Sequence, residues 1–382
     1  MERGVDLSLR SVTVSAFLDR WLTDTAAPRV RPSTLEIYRN HKKRYIDPSI
    51  GSVKLRALSV QQVNRMMADM VRNGQSPSTA NRCRATLRNA LASAVKWGYV
   101  PQNVAALADP RKVDRVRIKP LELEEVQVLL AWAEDLDNGP LIHVAIATGC
   151  RQGELLALRW SQDVDLENGY IHVRHTLSED YASADVKAAS TPQEALRRRL
   201  TPPKTEESRR SVKLSLSAVE ALRRQQAINA RYEMAAAHRW VDLDLVFPTT
   251  IGTPSDATAV THRLRRTIRD ASAVWELITG MGIPEQRFHD LRHCTASLLL
   301  AEGMDLFVVK EVLGHSQISL TANTYGHLMK KISHEAASRL DRAIQTGDVV
   351  AEDDTNPDTK TRPADTKTDT RMNVLAQDGI DR

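Results

Sequence analysis

Gly314-His315-Ser316-Gln317-Ile318-Ser319-Leu320-Thr321-Ala322-Asn323-Thr324-Tyr325-Gly326-His327 sets a histidine ten residues before a tyrosine, between two stretches with helical patterning. The upstream stretch, Leu306-Phe307-Val308-Val309-Lys310-Glu311-Val312-Leu313, stops at a glycine suited to a helix C-cap. The downstream one repeats Ile332, Ala336, Leu340 and Ile344 at four-residue spacing, a narrow apolar stripe able to fold back or to enter a neighbour's groove. By itself the segment reads as two helices joined by a turn, with Tyr325 half-buried and its hydroxyl bonded. Basic residues elsewhere in the chain change that reading.

The nearest are in Pro284-Glu285-Gln286-Arg287-Phe288-His289-Asp290-Leu291-Arg292-His293, where His289, Arg292 and His293 share a helical face. His-Asp-Leu-Arg-His superficially resembles a two-histidine zinc helix. However, Asp stands where a Glu is usual, and an arginine one turn from His289 repels a cation, so the pattern suits an anion. Further upstream, the apolar helix Leu141–Ala147 runs into Thr148-Gly149-Cys150-Arg151-Gln152-Gly153-Glu154-Leu155. An arginine in a tight turn between apolar helices is buried or half-buried and requires an anionic partner, either Glu154 or a ligand phosphate. Pro202-Pro203-Lys204-Thr205, followed by Ser208-Arg209-Arg210, sets Lys204 in a turn beside the strand pattern Ser211–Leu214. Taken singly, a lysine there is a solvated surface residue.

Arg151, Arg292, His289, His315, Lys204 and Tyr325 are thus the unusual residues. No carboxylate pair is placed for a metal, and no glycine-rich phosphate loop occurs. Arginine forks grip phosphate in two places and stay charged. Phosphoryl transfer depends mostly on positioning and on stabilising charge, so two arginines can take a metal ion's place and no cofactor is expected. A phenol with a pKa of about 10 becomes a nucleophile when a base such as His289 takes its proton and cations favour the phenolate. Lysine can protonate a departing 5′ oxygen. The set describes DNA strand transfer through a 3′-phosphotyrosine.

Charge distribution agrees. The chain carries +5 overall, but residues 1–110 hold 17 Lys/Arg against 8 Asp/Glu, the middle of the chain is balanced, and residues 348–382 are net acidic. A basic first domain is the electrostatic mark of a nucleic-acid partner. Its helical patterns start near Val12, Pro32, Ser59 and Pro77; Lys42, Lys43 and Arg44, and then Arg84 and Arg88 one turn apart, are the candidate phosphate contacts. Residues 111–119, basic and bracketed by Pro110 and Pro120, read as a linker. Residues 120–346 form a second domain, with strand patterns at Tyr170–Arg174 and Ser211–Leu214 and an insertion from Ser178 to Leu200. Residues 347–382, rich in Asp, Thr, Lys and Pro, are expected to be a disordered tail. Three scattered cysteines fit neither a disulfide framework nor a zinc site, and neither a membrane-length apolar run nor a signal peptide occurs. A cytoplasmic protein with no membrane partner is expected.

Across residues 12–340 the chain resembles the tyrosine recombinase, or phage integrase, family. The resemblance is carried by Thr148–Leu155, Pro203-Lys204-Thr205 with Ser208-Arg209-Arg210, His289–His293, and Gly314-His315 with Tyr325, all in family order. It implies Tyr325 as nucleophile, Arg151 and Arg292 as phosphate clamps, and His289 as acid/base. It further implies His315 as a donor to the phosphate, Lys204 as general acid and Glu154 as a support. The implied fold is mainly α with a small β-sheet: a two-domain DNA clamp made of a helical core-binding domain and an α+β catalytic domain. Four protomers are implied on double-stranded attachment sites, exchanging strands through a Holliday junction, with the Ile332–Ile344 helix docked in trans and an excisionase or host DNA-bending factor as a further partner. Since about ten residues precede Val12, a separate arm-binding domain is expected to be absent. An integrase of a phage or mobile element is the leading expectation. The alternatives are a Xer-type resolvase, a transposase, or a non-cleaving DNA-binding regulator on the same fold.

Overall fold

The computed structural model describes residues 11–113, 119–178, 186, 188–202 and 209–314. Two large hydrophobic cores lie within them, one assembled between Val14 and Ala108 and the other between Leu121 and Cys294.

The first core is all-helical: α1 (Val14–Trp21), α2 (Pro32–His41), α3 (Val60–Arg72) and α4 (Pro77–Lys96). Each start has a local cause. Thr13 accepts from the Ala16 amide, Ser59 and Gln62 form a reciprocal capping box, and Ser76 accepts from the Thr79 amide just before Pro77. Val14, Phe17, Leu18 and Trp21 bury one face of α1, and Phe17 packs its ring against Trp97 and Tyr99. The sequence pattern for α1 extends to Thr25; the structure ends the regular helix at Trp21 and continues it through a widened π-type segment, Leu22–Ala26. A second widened segment, Lys42–Ile46, follows α2.

The basic residues expected to contact phosphate divide into two groups here. Lys43, Arg44 and Arg88 are exposed. Lys42 is drawn inward instead, with Nζ 2.7 Å from Asp47, 3.1 Å from Asp19 and donating to Ser15. Arg84 donates to the carbonyls of Ala105 and Ala108, at 3.1 and 2.8 Å. Arg84 and Arg88 therefore do not present a matched pair, because one of them fastens the end of the domain. Arg111, at the start of the expected linker, is fastened as well: its side chain donates to the Asn64 carbonyl and its amide to Asn81 Oδ1.

The second core is built on α5 (Leu123–Ala133), α6 (Gly139–Thr148), α7 (Pro192–Arg199), α8 (Leu216–Ala236), α9 (Ala257–Thr279), α10 (Phe288–Ala301) and α11 (Leu306–Leu313). Helix α6 is buried along most of its length and packs against α8 and α10. The sequence has helical patterning from Ala218 to about Trp240, and helix α8 begins two residues and ends four residues before those bounds. The antiparallel sheet has the order β1 (Val164–Asp165), β2 (Tyr170–Val173), β5 (Arg210–Lys213), with Ile171 opposite Val212 and Val173 opposite Arg210. The Ser178–Leu200 insertion, expected at the surface with some helical character, contains α7 and is closed at its base by a two-stranded sheet, β3 (Thr176–Leu177) with β4 (Leu200–Thr201). A small third cluster, Ala296, Leu300, Val309 and Leu313, joins α10 to α11. Among the described residues no helix is long and apolar enough to cross a membrane.

Candidate active site

The site begins where α6 stops. Gly149 adopts a left-handed conformation (φ 60°) as the helix C-cap, and its amide bonds back to the Ala145 carbonyl. A side chain at this position would be strained and would also meet Leu313 Cδ2 at 2.6 Å, so glycine is required twice over. The chain then extends through Cys150 and Arg151 into a single helical turn, Gln152–Leu155. Glu154 closes this turn: Oε2 accepts the Arg151 amide at 2.9 Å and Oε1 accepts Arg151 Nη1 at 2.7 Å. Of the two anionic partners open to Arg151, Glu154 is thus engaged, while the Arg151 side chain keeps 38% exposure for a second partner.

Arg292 arrives from α10. Its Nη1 donates to the Gly149 carbonyl at 2.7 Å, and one turn along, Thr295 Oγ1 donates to the Ile146 carbonyl at 2.7 Å. These two bonds pin α10 across the end of α6. Arg292 is 2% exposed, and its buried Nη2 has no hydrogen-bond partner among the described residues. A buried guanidinium nitrogen in that condition is an unmet donor that an anion satisfies.

Arg210 is the residue the sequence did not single out. Its Nη2 reaches Glu154 Oε2 at 3.1 Å and Cys150 Sγ at 3.4 Å, and its Nε donates to the Val312 carbonyl at 3.1 Å. The signal was present in strand parity. Arg210, Val212 and Leu214 alternate onto one face, and Val212 and Leu214 are buried there. An arginine on the apolar face of a strand is a residue with a buried partner.

Two guanidiniums, Arg151 and Arg210, are therefore ion-paired with a single buried carboxylate, and Arg292 lies near enough for its charge to be felt. Burial alone would raise the Glu154 carboxyl, but Arg210, Arg151 and the two Arg151 hydrogen bonds outweigh it and hold it below its ordinary value. Burial, then Arg151 and Arg210, lower Arg292 to about 10, with Glu154 opposing; it remains cationic at neutral pH. Net positive charge is left over, in a place where field and geometry favour a phosphate. His289 stands exposed at the head of α10 with its ring 5.5 Å from that of His293. Partial desolvation and then His293, Arg292 and Arg151 lower its pKa, against a weaker pull from Asp290, so it is neutral at pH 7 and able to take a proton. Asp290 is tied to Arg287, closing its own helix turn. Among the described residues no His, Cys, Asp and Glu cluster is arranged to hold a metal ion.

The structure thus brings Arg151, Glu154 and Arg292 together, with His289 on the same helix as Arg292. Lys204, His315 and Tyr325 lie outside the described residues, as does the Ile332–Ile344 stripe.

Residues 119–331 match the phage integrase family, and residues 13–71 match the phage integrase N-terminal SAM-like domain. The chain belongs to the phage integrase family: it is a tyrosine recombinase, an enzyme of site-specific DNA breakage and rejoining. It is 25% identical over 355 residues to a tyrosine recombinase XerC-like protein of Caldanaerobacter subterraneus subsp. tengcongensis, covering 89% of this chain and 85% of that one. It is 27% identical to an integrase of Streptomyces ambofaciens, covering 91% and 84% of the two chains. Among solved structures, the Tn1549 transposon integrase in complex with transposon right end DNA shares the fold at a TM-score of 0.69 and 19% identity, covering 86% of this chain and 99% of that one. A lambda integrase dimer bound to a COC′ core site does so at 0.59 and 20%, covering 82% and 95%.

Proposed function

We propose that the chain is the integrase of a phage or other mobile element and that the arginine pocket grips the phosphate at which DNA is cut. The observation that carries this is the pairing of Arg151 and Arg210 with one buried carboxylate, beside an Arg292 that is bonded to the Gly149 carbonyl and whose Nη2 is left unmet among the described residues. In this reaction the Tyr325 oxygen attacks phosphorus, forming a bond to the 3′-phosphate as the P–O5′ bond breaks. His289 takes the phenolic proton, and Lys204 gives one to the leaving 5′ oxygen. Arg151, Arg292 and His315 hold the charge that builds on the non-bridging oxygens. Because the phosphodiester energy is kept in the tyrosyl linkage, a second 5′-hydroxyl reverses the step on a new strand without an external energy source. Double-stranded attachment sites, a tetramer exchanging strands through a Holliday junction, and an excisionase or DNA-bending helper complete this proposal. The support comes from relatives named integrases, including those of Streptomyces ambofaciens and Staphylococcus phage L54a. The XerC-like relative favours a second assignment, a chromosomal resolvase with the same chemistry.

A nicked duplex library made from the DNA flanking the gene tests both. The protein is expected to become covalently joined to a 3′ end without added magnesium, and sequencing the adducts gives the core site. Tyr325→Phe should form none; an adduct in that variant rejects the nucleophile. Sites at the element's own boundary support an integrase, whereas sites at a chromosomal dimer-resolution locus support the resolvase.

A further inference from the structure

Arg210 makes more connections than any role yet given to it requires. It opens β5, six residues after Lys204 in the chain. Its guanidinium reaches the Arg151 turn through Glu154 and Cys150, and the last turn of α11 through the Val312 carbonyl. Its side chain is only 9% exposed, so these are buried contacts in which geometry is held closely. The space around it is shaped to match. Gly314, left-handed at φ 64°, leaves room for Arg210: a Cβ there would come within 3.0 Å of Arg210 Cδ and Nη1. Leu313 fits against Gly149 at the opposite side of the same junction. Two C-cap glycines, one ending α6 beside Arg151 and the other ending α11 beside His315, are thus packed against a leucine and an arginine that interlock them.

The division of labour at Glu154 says what Arg210 does. Oε1 is taken by the Arg151 side chain, while Oε2 is held by the Arg151 amide and by Arg210. With Arg210 in place, the carboxylate is fixed from both sides and Arg151 meets one oxygen in one direction. Without it, a buried carboxylate keeps two bonds from one flexible neighbour and can turn with it.

We propose that Arg210 is a positioning residue for cleavage, fixing Glu154, and through it the Arg151 guanidinium, in register with the end of α11 that leads to His315. This rests on the phosphate-pocket assignment above. Arg210 need not touch DNA to act; its effect is transmitted through Glu154.

The experiment uses the full chain and the nicked core-site duplex identified from the covalent adducts. Single-turnover adduct formation at saturating duplex is measured alongside duplex affinity. Arg210→Met should slow cleavage about a hundredfold, the scale set by ångström-level misplacement of a catalytic group. Its dissociation constant should stay within about threefold, since the loss is in the reacting state and not in binding. Arg210→Lys, which restores the charge but not the fork, should recover roughly a tenfold share. The double variant with Glu154→Gln should be no slower than the slower single variant, because both changes break one connection. Cleavage by Arg210→Met within about threefold of the unaltered chain, a loss confined to affinity, or additive losses in the double variant would each overturn the proposal. Should Arg210→Met fail to fold, Arg210→Lys decides: a roughly tenfold slower rate supports the role and an unchanged rate ends it. Failure of the unaltered chain to form any adduct would instead reject the phosphate-pocket assignment itself.

Discussion

Arg292 donates to the carbonyl of Gly149 across a separation of 143 residues, and that bond at 2.7 Å places the end of one buried helix over the end of another. Half of the arginine is therefore committed to the fold. The other half, Nη2, is buried without a partner among the described residues. The two ends of the guanidinium lead to different losses when the residue is changed.

Arg292→Ala removes both. Cleavage at saturating DNA is expected to fall by about two to three powers of ten, the scale for losing one donor to developing charge. Thermal unfolding should show an additional loss of stability, because the Gly149 carbonyl is left without its donor. Arg292→Lys, too short to serve both ends, should keep more of the stability than of the rate. Equal recovery of both in the lysine variant would contradict the split.

His289 gives a pH signature. Its pKa is lowered by desolvation and by the cations around it, so the neutral base persists below the ordinary imidazole value of about 6.5. The acidic limb of the single-turnover cleavage profile should accordingly lie below about pH 6.5. The linkage sign follows: the unfolded chain binds that proton more readily, so stability is present above the unfolded value and declines as pH falls below it. An acidic limb displaced above 6.5 in the rate profile would remove His289 as the base.

Gly149 is testable by itself. Gly149→Ala forces a left-handed alanine, costing roughly 1–2 kcal/mol, and sets a methyl against Leu313. Denaturant unfolding should show at least that loss. Leu313→Ala should relieve the steric share, so the double variant is expected to be more stable than the sum of the two single losses predicts. Strict additivity would mean that the two residues do not meet.

The basic residues of the first core separate by measurement as they do by burial. Lys43→Ala and Arg44→Ala, both exposed, should each weaken DNA binding and flatten its salt dependence by about one unit of slope for each phosphate no longer neutralised. Lys42→Ala and Arg84→Ala should lower the unfolding midpoint while leaving the salt slope unchanged, because these side chains are engaged within the protein. A changed slope for Lys42→Ala would return that lysine to the DNA surface.

How far these features could be read from the chain depended on how far apart the partners are in sequence. Arg151 and Glu154 lie within one helical turn, so the sequence already offered Glu154 as one of two partners for that arginine, and the structure shows them paired. The helices announced themselves by start signals such as Ser59 and Pro77 and by apolar faces such as Val14, Phe17 and Leu18, whereas the Ser76 cap came only with the structure. By contrast, Glu154 and Arg210 are 56 residues apart, and only the fold brings them together. Strands of two residues, such as β3 and β4, are too short to show alternation. Lys42 sits in a run of three basic residues that read alike as candidate phosphate contacts. Its burial came from Asp19 and Asp47 arriving from neighbouring helices, and no periodicity announces that.

Among the described residues, the donors and acceptors around Glu154 come from residues 149 to 154, 210, 292 and 312, all ahead of His315 in the chain. Tyr325 comes later. Gripping and cutting are therefore written in successive stretches of the gene, and a stop codon just past Gly314 would part them. On the proposed reading its product would keep Arg151, Arg210 and Arg292 and lack Tyr325, and is expected to hold DNA without opening it. Under the integrase assignment, a single nonsense mutation would thus turn the recombinase into a competitor of the intact protein, and so into a brake on recombination.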